Sequence, residues 1–301
     1  MLLRRLNAMS APESAADAAE FRGSRRMPRY LRGCTAVECL VVAWAGILLF
    51  ALPALARQQW AWRTPVFNSR FIGAVYFGAM VPLAIAALSG RWTPGRLVLW
   101  MIFVFTTEIG IVMFFYTGRF IWTRADTYGF WFLYLFFPVN SGLFLYRSRD
   151  VASANAPPRG RAARVVITLA AAALAGYAAA LVVAPQTVAS FWPWPVDAFH
   201  GRIYAASFLT PGVGLWLIRR EATPALDATI GVTLATFGAC VIAGLLISDA
   251  GAPLAKRVHF DAAGTWGFLA SNIALVLLGL ALLARWRPAR YPPPADGSAS
   301  S

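Results

Sequence analysis

Apolar residues fall along this chain in runs of about 20, separated by short segments of arginine, proline, tryptophan and aspartate. The runs have neither the alternation of a half-buried strand nor the single stripe of a surface helix. Each is long enough, as a helix, to cross a hydrocarbon layer roughly 30 Å thick. Eight spans are expected, at about 34–56, 71–90, 97–117, 128–146, 164–184, 201–218, 228–248 and 265–285. The fold class that follows is an all-α integral membrane protein.

The segments between the spans repeat. Pro53-x6-Trp60-x-Trp62-x4-Phe67-x2-Arg70-x3-Ala74 returns 132 residues later as Pro185-x6-Trp192-x-Trp194-x4-Phe199-x2-Arg202-x3-Ala206. Asp126-x2-Gly129-x-Trp131 returns as Asp261-x2-Gly264-x-Trp266, and Thr93-Pro94 as Thr223-Pro224, at offsets of 135 and 130. The two Thr-Pro pairs read as N-cap plus first-turn proline, starting spans three and seven. Each half holds four spans, an even number, so both halves enter the membrane in the same direction. The expected architecture is two parallel four-helix repeats about an axis along the membrane normal, a class found among transporter folds. Its parts are a disordered basic tail (1–33), the first repeat (34–146), a cytoplasmic linker (147–163), the second repeat (164–285) and a disordered tail (286–301).

Composition agrees: 59% of residues are hydrophobic and 13% charged, against about 25% charged in soluble domains. The net charge of +14 raises the question of a nucleic-acid partner. The basic residues, however, sit in tails and short loops rather than on one soluble face, and no such partner is expected. With the N-terminus inside, 19 of the 27 Lys and Arg fall on inner segments and 8 on outer ones. The positive-inside rule then places both termini in the cytoplasm, in a cell inner membrane, with the lipid bilayer as first partner. Cys34, Cys39 and Cys240 form neither a disulfide framework nor a metal spacing, and read as packing residues. Two histidines are too few for bis-His haem or a His-rich metal site. No phosphate loop, dinucleotide fingerprint or nucleophile elbow appears. No cofactor, metal or catalytic residue is expected.

The candidate chemistry is sparse. Glu108 falls near the middle of span three, where an ionised carboxylate is expensive; it reads either as a pathway or proton site or, protonated or bonded to Thr106 or Thr107, as a helix-packing residue. Its register partner is Cys240, so the feature belongs to one half. Glu38 reads as snorkelling from the cytoplasmic end of span one, and Asp249 as wet at the end of span seven. Arg70 and Arg202 stand at the outer ends of spans two and six, with Asp126 and Asp261 at those of spans four and eight. Two readings follow: Arg–Asp clamps between neighbouring spans, each Asp also capping a helix, or an outward anion site built on the arginines. Trp60, Trp62, Trp192 and Trp194 suit an interfacial aromatic belt or the lining of a shared vestibule. Asn140 and Asn272 read as polar glue between helices. His200, beside Arg202 and near Asp197, is a weak candidate for an outer active site, because the first copy has Asn68 at its place.

The stretch Trp192-Pro193-Trp194-x4-Phe199-x2-Arg202-x2-Ala205-Ala206 resembles a motif of bacterial multi-pass membrane proteins that carry Trp-Pro-Trp…Ala-Arg…Gly-Ala after an apolar span. The resemblance covers one loop and one span per half, and Phe199 and Gly201 depart from the pattern. It implies a membrane fold and no catalytic residues, since that group has no established activity.

The leading expectation is a carrier or exporter for a small or amphipathic molecule, with a site between the halves and Glu108 as its ionisable group. The alternatives are a non-catalytic partner or scaffold in a cell-envelope complex, bound to an envelope protein, and a membrane-embedded lipid-modifying enzyme.

Overall fold

In hydrocarbon every backbone N–H and C=O must find its partner within the protein, and a helix does this inside one segment. The computed structural model accordingly folds the apolar runs as helices. It describes residues 26–149, 158–220 and 222–284. The rest of the two tails and the centre of the linker lie outside the described residues.

The helices are α1 (Arg29–Ala51), α2 (Pro53–Gln59), α3 (Val66–Ser89), α4 (Trp92–Phe115), α5 (Ala125–Arg147), α6 (Arg161–Val183), α7 (Pro185–Val188), α8 (Ala198–Ile218), α9 (Pro224–Ala250) and α10 (Ala263–Leu283). Among the described residues seven are long and apolar enough to cross a membrane: α1, α3, α4, α5, α6, α9 and α10. The expected count was eight. The eighth, α8, has the length, but His200, Arg202, Ser207, Thr210 and Pro211 dilute its apolar character.

Helix ends follow local chemistry. Thr223 stands at the N-cap position of α9 without a capping bond from its side chain, and Pro224 is the first residue. The matching Thr93 lies inside α4, which starts two residues earlier than the Thr-Pro reading placed it. Gly90 ends α3 at φ 58°, its N–H returning to the Ala86 carbonyl at 3.0 Å. Only glycine adopts this left-handed conformation without a Cβ clash. α1 begins at Arg29, straight after Pro28, five residues before the expected span.

Burial divides the helices into two shells. The most apolar windows of α3, α4 and α9 are 50–56% buried, and those of α1, α5, α6 and α10 only 22–33%. α8 belongs inside, since 15 of its 21 residues are buried. The inner helices pair as α3 with α9 and α4 with α8; α1 packs on α3, α6 on α8, α5 on α4 and α10 on α9. Large side chains such as Phe115, Val139, Val183 and Leu277 stay on the outside, as they would against lipid. The α9–α10 crossing is set by small residues: a Cβ on Gly279 would come within 2.5 Å of the Gly231 carbonyl and 2.6 Å of the Ala235 nitrogen. Such close backbone approach is how membrane helices gain packing without a hydrophobic drive between them.

Candidate functional site

At one end of the bundle the loops after α2 and α7 carry the two Trp-x-Trp motifs inward. Trp60, Trp62, Trp192 and Trp194 are all buried, at 7, 2, 6 and 7% exposure. That overturns the interfacial-belt reading. The reason is packing: each pair stands edge-on, 5.2 Å apart, inside an aromatic cluster. Trp62 sits against Phe199 at 5.4 Å, and Trp194 stacks on Phe67 at 5.7 Å.

The polar bonds cross between the halves. Trp62 donates its indole N–H to His200 Nε2 at 3.2 Å, and Trp194 donates to Asn68 Oδ1 at 2.7 Å. The donors are 132 residues apart in sequence, and so are the acceptors. His200 Nε2 is therefore an acceptor, and Nδ1 carries the proton toward Asp197 Oδ1, 2.9 Å away. With both ring nitrogens engaged and the residue 3% exposed, His200 lacks a free edge for acid–base work. Asp197 caps α8 by accepting the His200 backbone N–H at 2.8 Å, and meets Arg119 at 3.4 Å. Burial alone would raise its pKa. The His200 hydrogen bonds and the Arg119 charge outweigh that and hold it at about 2.

Arg70 and Arg202 do not reach Asp126 or Asp261. Arg70 donates to the Phe50 carbonyl at 3.2 Å and the Ser248 hydroxyl at 3.0 Å. Arg202 donates to the Val182 carbonyl at 3.0 Å and to the Tyr116 hydroxyl. Each arginine thus ties the end of one outer helix to the far end of a helix in the other half. The expected Arg–Asp clamps fail because the aspartates lie elsewhere. Asp126 is exposed in the first turn of α5, whereas Asp261 precedes α10 and stands 3.8 Å from His259, both exposed. Asp249 accepts the Val258 N–H at 2.7 Å. Asn272 donates to Phe268 of its own helix at 2.8 Å, and among the described residues its side chain has no bond to a neighbouring helix.

Between α1, α3, α4, α5, α8 and α9 lies a cavity of about 300 Å³. Its walls are mostly apolar, with Trp60, Tyr76, Phe105, Phe130, Tyr134 and Phe237 among them. The Tyr76 and Tyr134 hydroxyls bond each other at 2.9 Å. Two acids line the cavity, Glu38 and Asp126, and no basic residue does. Glu38 is 6% exposed, without hydrogen-bond partner or counter-ion among the described residues. The snorkelling expectation fails because α1 starts at Arg29, which puts Glu38 in the third turn. That Pro28-Arg29 start was the signal available in the sequence.

Glu108 is not part of the cavity wall. Both its carboxylate oxygens are buried and unpartnered, as is the Thr107 hydroxyl. It lies on α4 between Phe105, whose ring is 6.4 Å from that of Tyr134, and Gly110, which closely approaches the Tyr134 carbonyl. Sequence reasoning also passed over a second buried charge. Asp227, in the first turn of α9, forms a two-pronged ion pair with Arg159; one contact is 2.9 Å and the side chains are 4% and 0% exposed.

No protein-family model, curated protein or solved structure matches this chain.

Proposed function

We propose that this chain is a carrier-type membrane protein of eight spans in two parallel four-span repeats, which takes a small amphipathic molecule into the cavity beside Glu38. The observation that carries the reading is the cavity itself. At about 300 Å³ it has the size and apolar-with-few-polar character of a small-molecule site, and it lies among helices of both halves. Its unpartnered acid has no structural duty that the packing reveals, and an acid held in that state marks function more often than packing.

The crossed bonds support the duplication. Trp62–His200 and Trp194–Asn68 exchange when each residue is moved by 132 positions, and so do Arg70–Phe50 with Arg202–Val182 and Arg70–Ser248 with Arg202–Tyr116. Helix pairing exchanges in the same way, α1–α3 with α6–α8 and α4–α5 with α9–α10. Under that symmetry α8 is the counterpart of α3 and crosses with it; its polar residues face protein, which makes its lower hydropathy tolerable. The arginine bias puts both termini in the cytoplasm of the inner membrane. In this reading Glu38, which lines the cavity, takes the place expected of Glu108, which does not.

The test is native mass spectrometry of the protein released gently from its own membrane. One small molecule retained per chain is expected, and it should be lost from Ala79→Phe, which fills the cavity from α3. Bare wild-type protein, or an adduct indifferent to Ala79→Phe, would contradict the proposal.

A further inference from the structure

The two halves differ at one place that bears on the ligand. Where α1 has Ala45, the position 132 residues on in α6 is Tyr177. The Tyr177 ring stands edge-on to Phe208 at 4.8 Å, and its hydroxyl accepts the indole N–H of Trp192 at 2.6 Å. The counterparts of Phe208 and Trp192 are Tyr76 and Trp60, and these also meet edge-on, 6.0 Å apart. The first half has no phenol between them. Ala45, Trp60 and Tyr76 all line the cavity, and Trp60 Nε1 is buried without a hydrogen-bond partner. A buried N–H without an acceptor is costly and rare in a folded protein. In the second half the same indole is satisfied by a tyrosine.

We infer that the cavity takes a small neutral phenol, whose ring occupies the space that Tyr177 fills in the second half and whose oxygen accepts the Trp60 indole N–H, the indole turning toward the cavity to expose a donor that is covered in this structure. The inference rests on the cavity being a binding site and on the register that relates the halves. The aromatic walls suit a ring through edge-to-face contacts, and the oxygen answers a named donor. Glu38 lies seven residues before Ala45 on α1, roughly 10 Å along the helix at 1.5 Å per residue. It is therefore not the group that reads this oxygen.

The full chain in lipid nanodiscs is titrated calorimetrically with 4-ethylphenol and with ethylbenzene, subtracting protein-free nanodiscs. The phenol should bind roughly five- to tenfold more tightly, the worth of one net hydrogen bond. That preference should vanish in Trp60→Phe while ethylbenzene still binds, and Ala45→Tyr should abolish both. Equal affinity of wild type for the two probes would overturn the phenol and leave the cavity as a site. So would a preference that survives Trp60→Phe. Failure of both probes to bind wild type would overturn the phenol together with the proposed binding site. Should Ala45→Tyr not fold, the wild-type and Trp60→Phe titrations decide alone.

Discussion

At the scale of single residues, the crossed tryptophans make the clearest commitment. Trp62 and Trp194 each spend their one donor on a residue of the other half. Replacing either with Phe keeps much of the ring packing but strands a buried acceptor, at a cost of about 1–3 kcal/mol. Trp62→Phe and Trp194→Phe should therefore destabilise by similar amounts in denaturant unfolding. A cycle of Trp62→Phe with His200→Ala should show coupling, whereas Trp62→Phe with Asn68→Ala should be nearly additive. Asp197 adds a pH dependence of definite sign. Its folded pKa is lowered from 3.8 to about 2. Its contribution is thus complete above about pH 4 and is lost as pH falls through about 2. An acid titration of wild type should show this loss, and Asp197→Asn should remove that part of the slope.

At the scale of helices, the sequence made the spans and the Pro-to-Arg motif legible, because apolar runs and fixed aromatic spacing are local features. It did not reveal which helix meets which. Local identity aligned Asp126 with Asp261, yet α5 and α10 start at Ala125 and Ala263, 138 residues apart. The matching hydroxyls are Thr127 and Thr265, which bond the Ile121 and His259 carbonyls at 2.7 and 2.8 Å. Loop insertions between spans had moved a similar-looking triplet out of register. Nor could spacing tell that Arg70 would reach across to Ser248, because a contact between halves leaves no periodic trace. Glu38 was misplaced by a helix start set five residues late.

The Arg159–Asp227 pair belongs to this scale, since it fastens the segment before α6 to the first turn of α9. The matching positions of the first half hold uncharged residues. Met27 and Gly95, 132 residues earlier, pack so closely that a Cβ on Gly95 would strike the Met27 sulfur. Removing Asp227 takes the paired carboxylate from a buried guanidinium, so Asp227→Ala should destabilise by up to about 3–5 kcal/mol. The double change Arg159→Met with Asp227→Gly should recover much of that loss in the same unfolding measurement.

At the scale of the whole molecule, the described helices surround a cavity of about 300 Å³. The inner helices α3, α4, α8 and α9 bind the halves together, and the aromatic loops seal one end by exchanging partners. The cavity wall carries Ala45, the Trp60 indole with its buried unpartnered N–H, and Glu38. The two sequence halves differ at Ala45 and Tyr177, and the cavity lies on the Ala45 side. The cavity could not be read from the motif, because helices far apart in the sequence meet to form its walls.

The most direct test is photoaffinity labelling of the membrane-embedded protein with a small diazirine-bearing alcohol, followed by peptide mapping. The account predicts labels concentrated on cavity residues such as Ala45, Trp60, Val75, Phe105 and Phe237, and their loss in Ala79→Phe. Labels confined to the outer surface, at residues such as Phe115, Val139 and Leu277, and unchanged by that substitution, would contradict it.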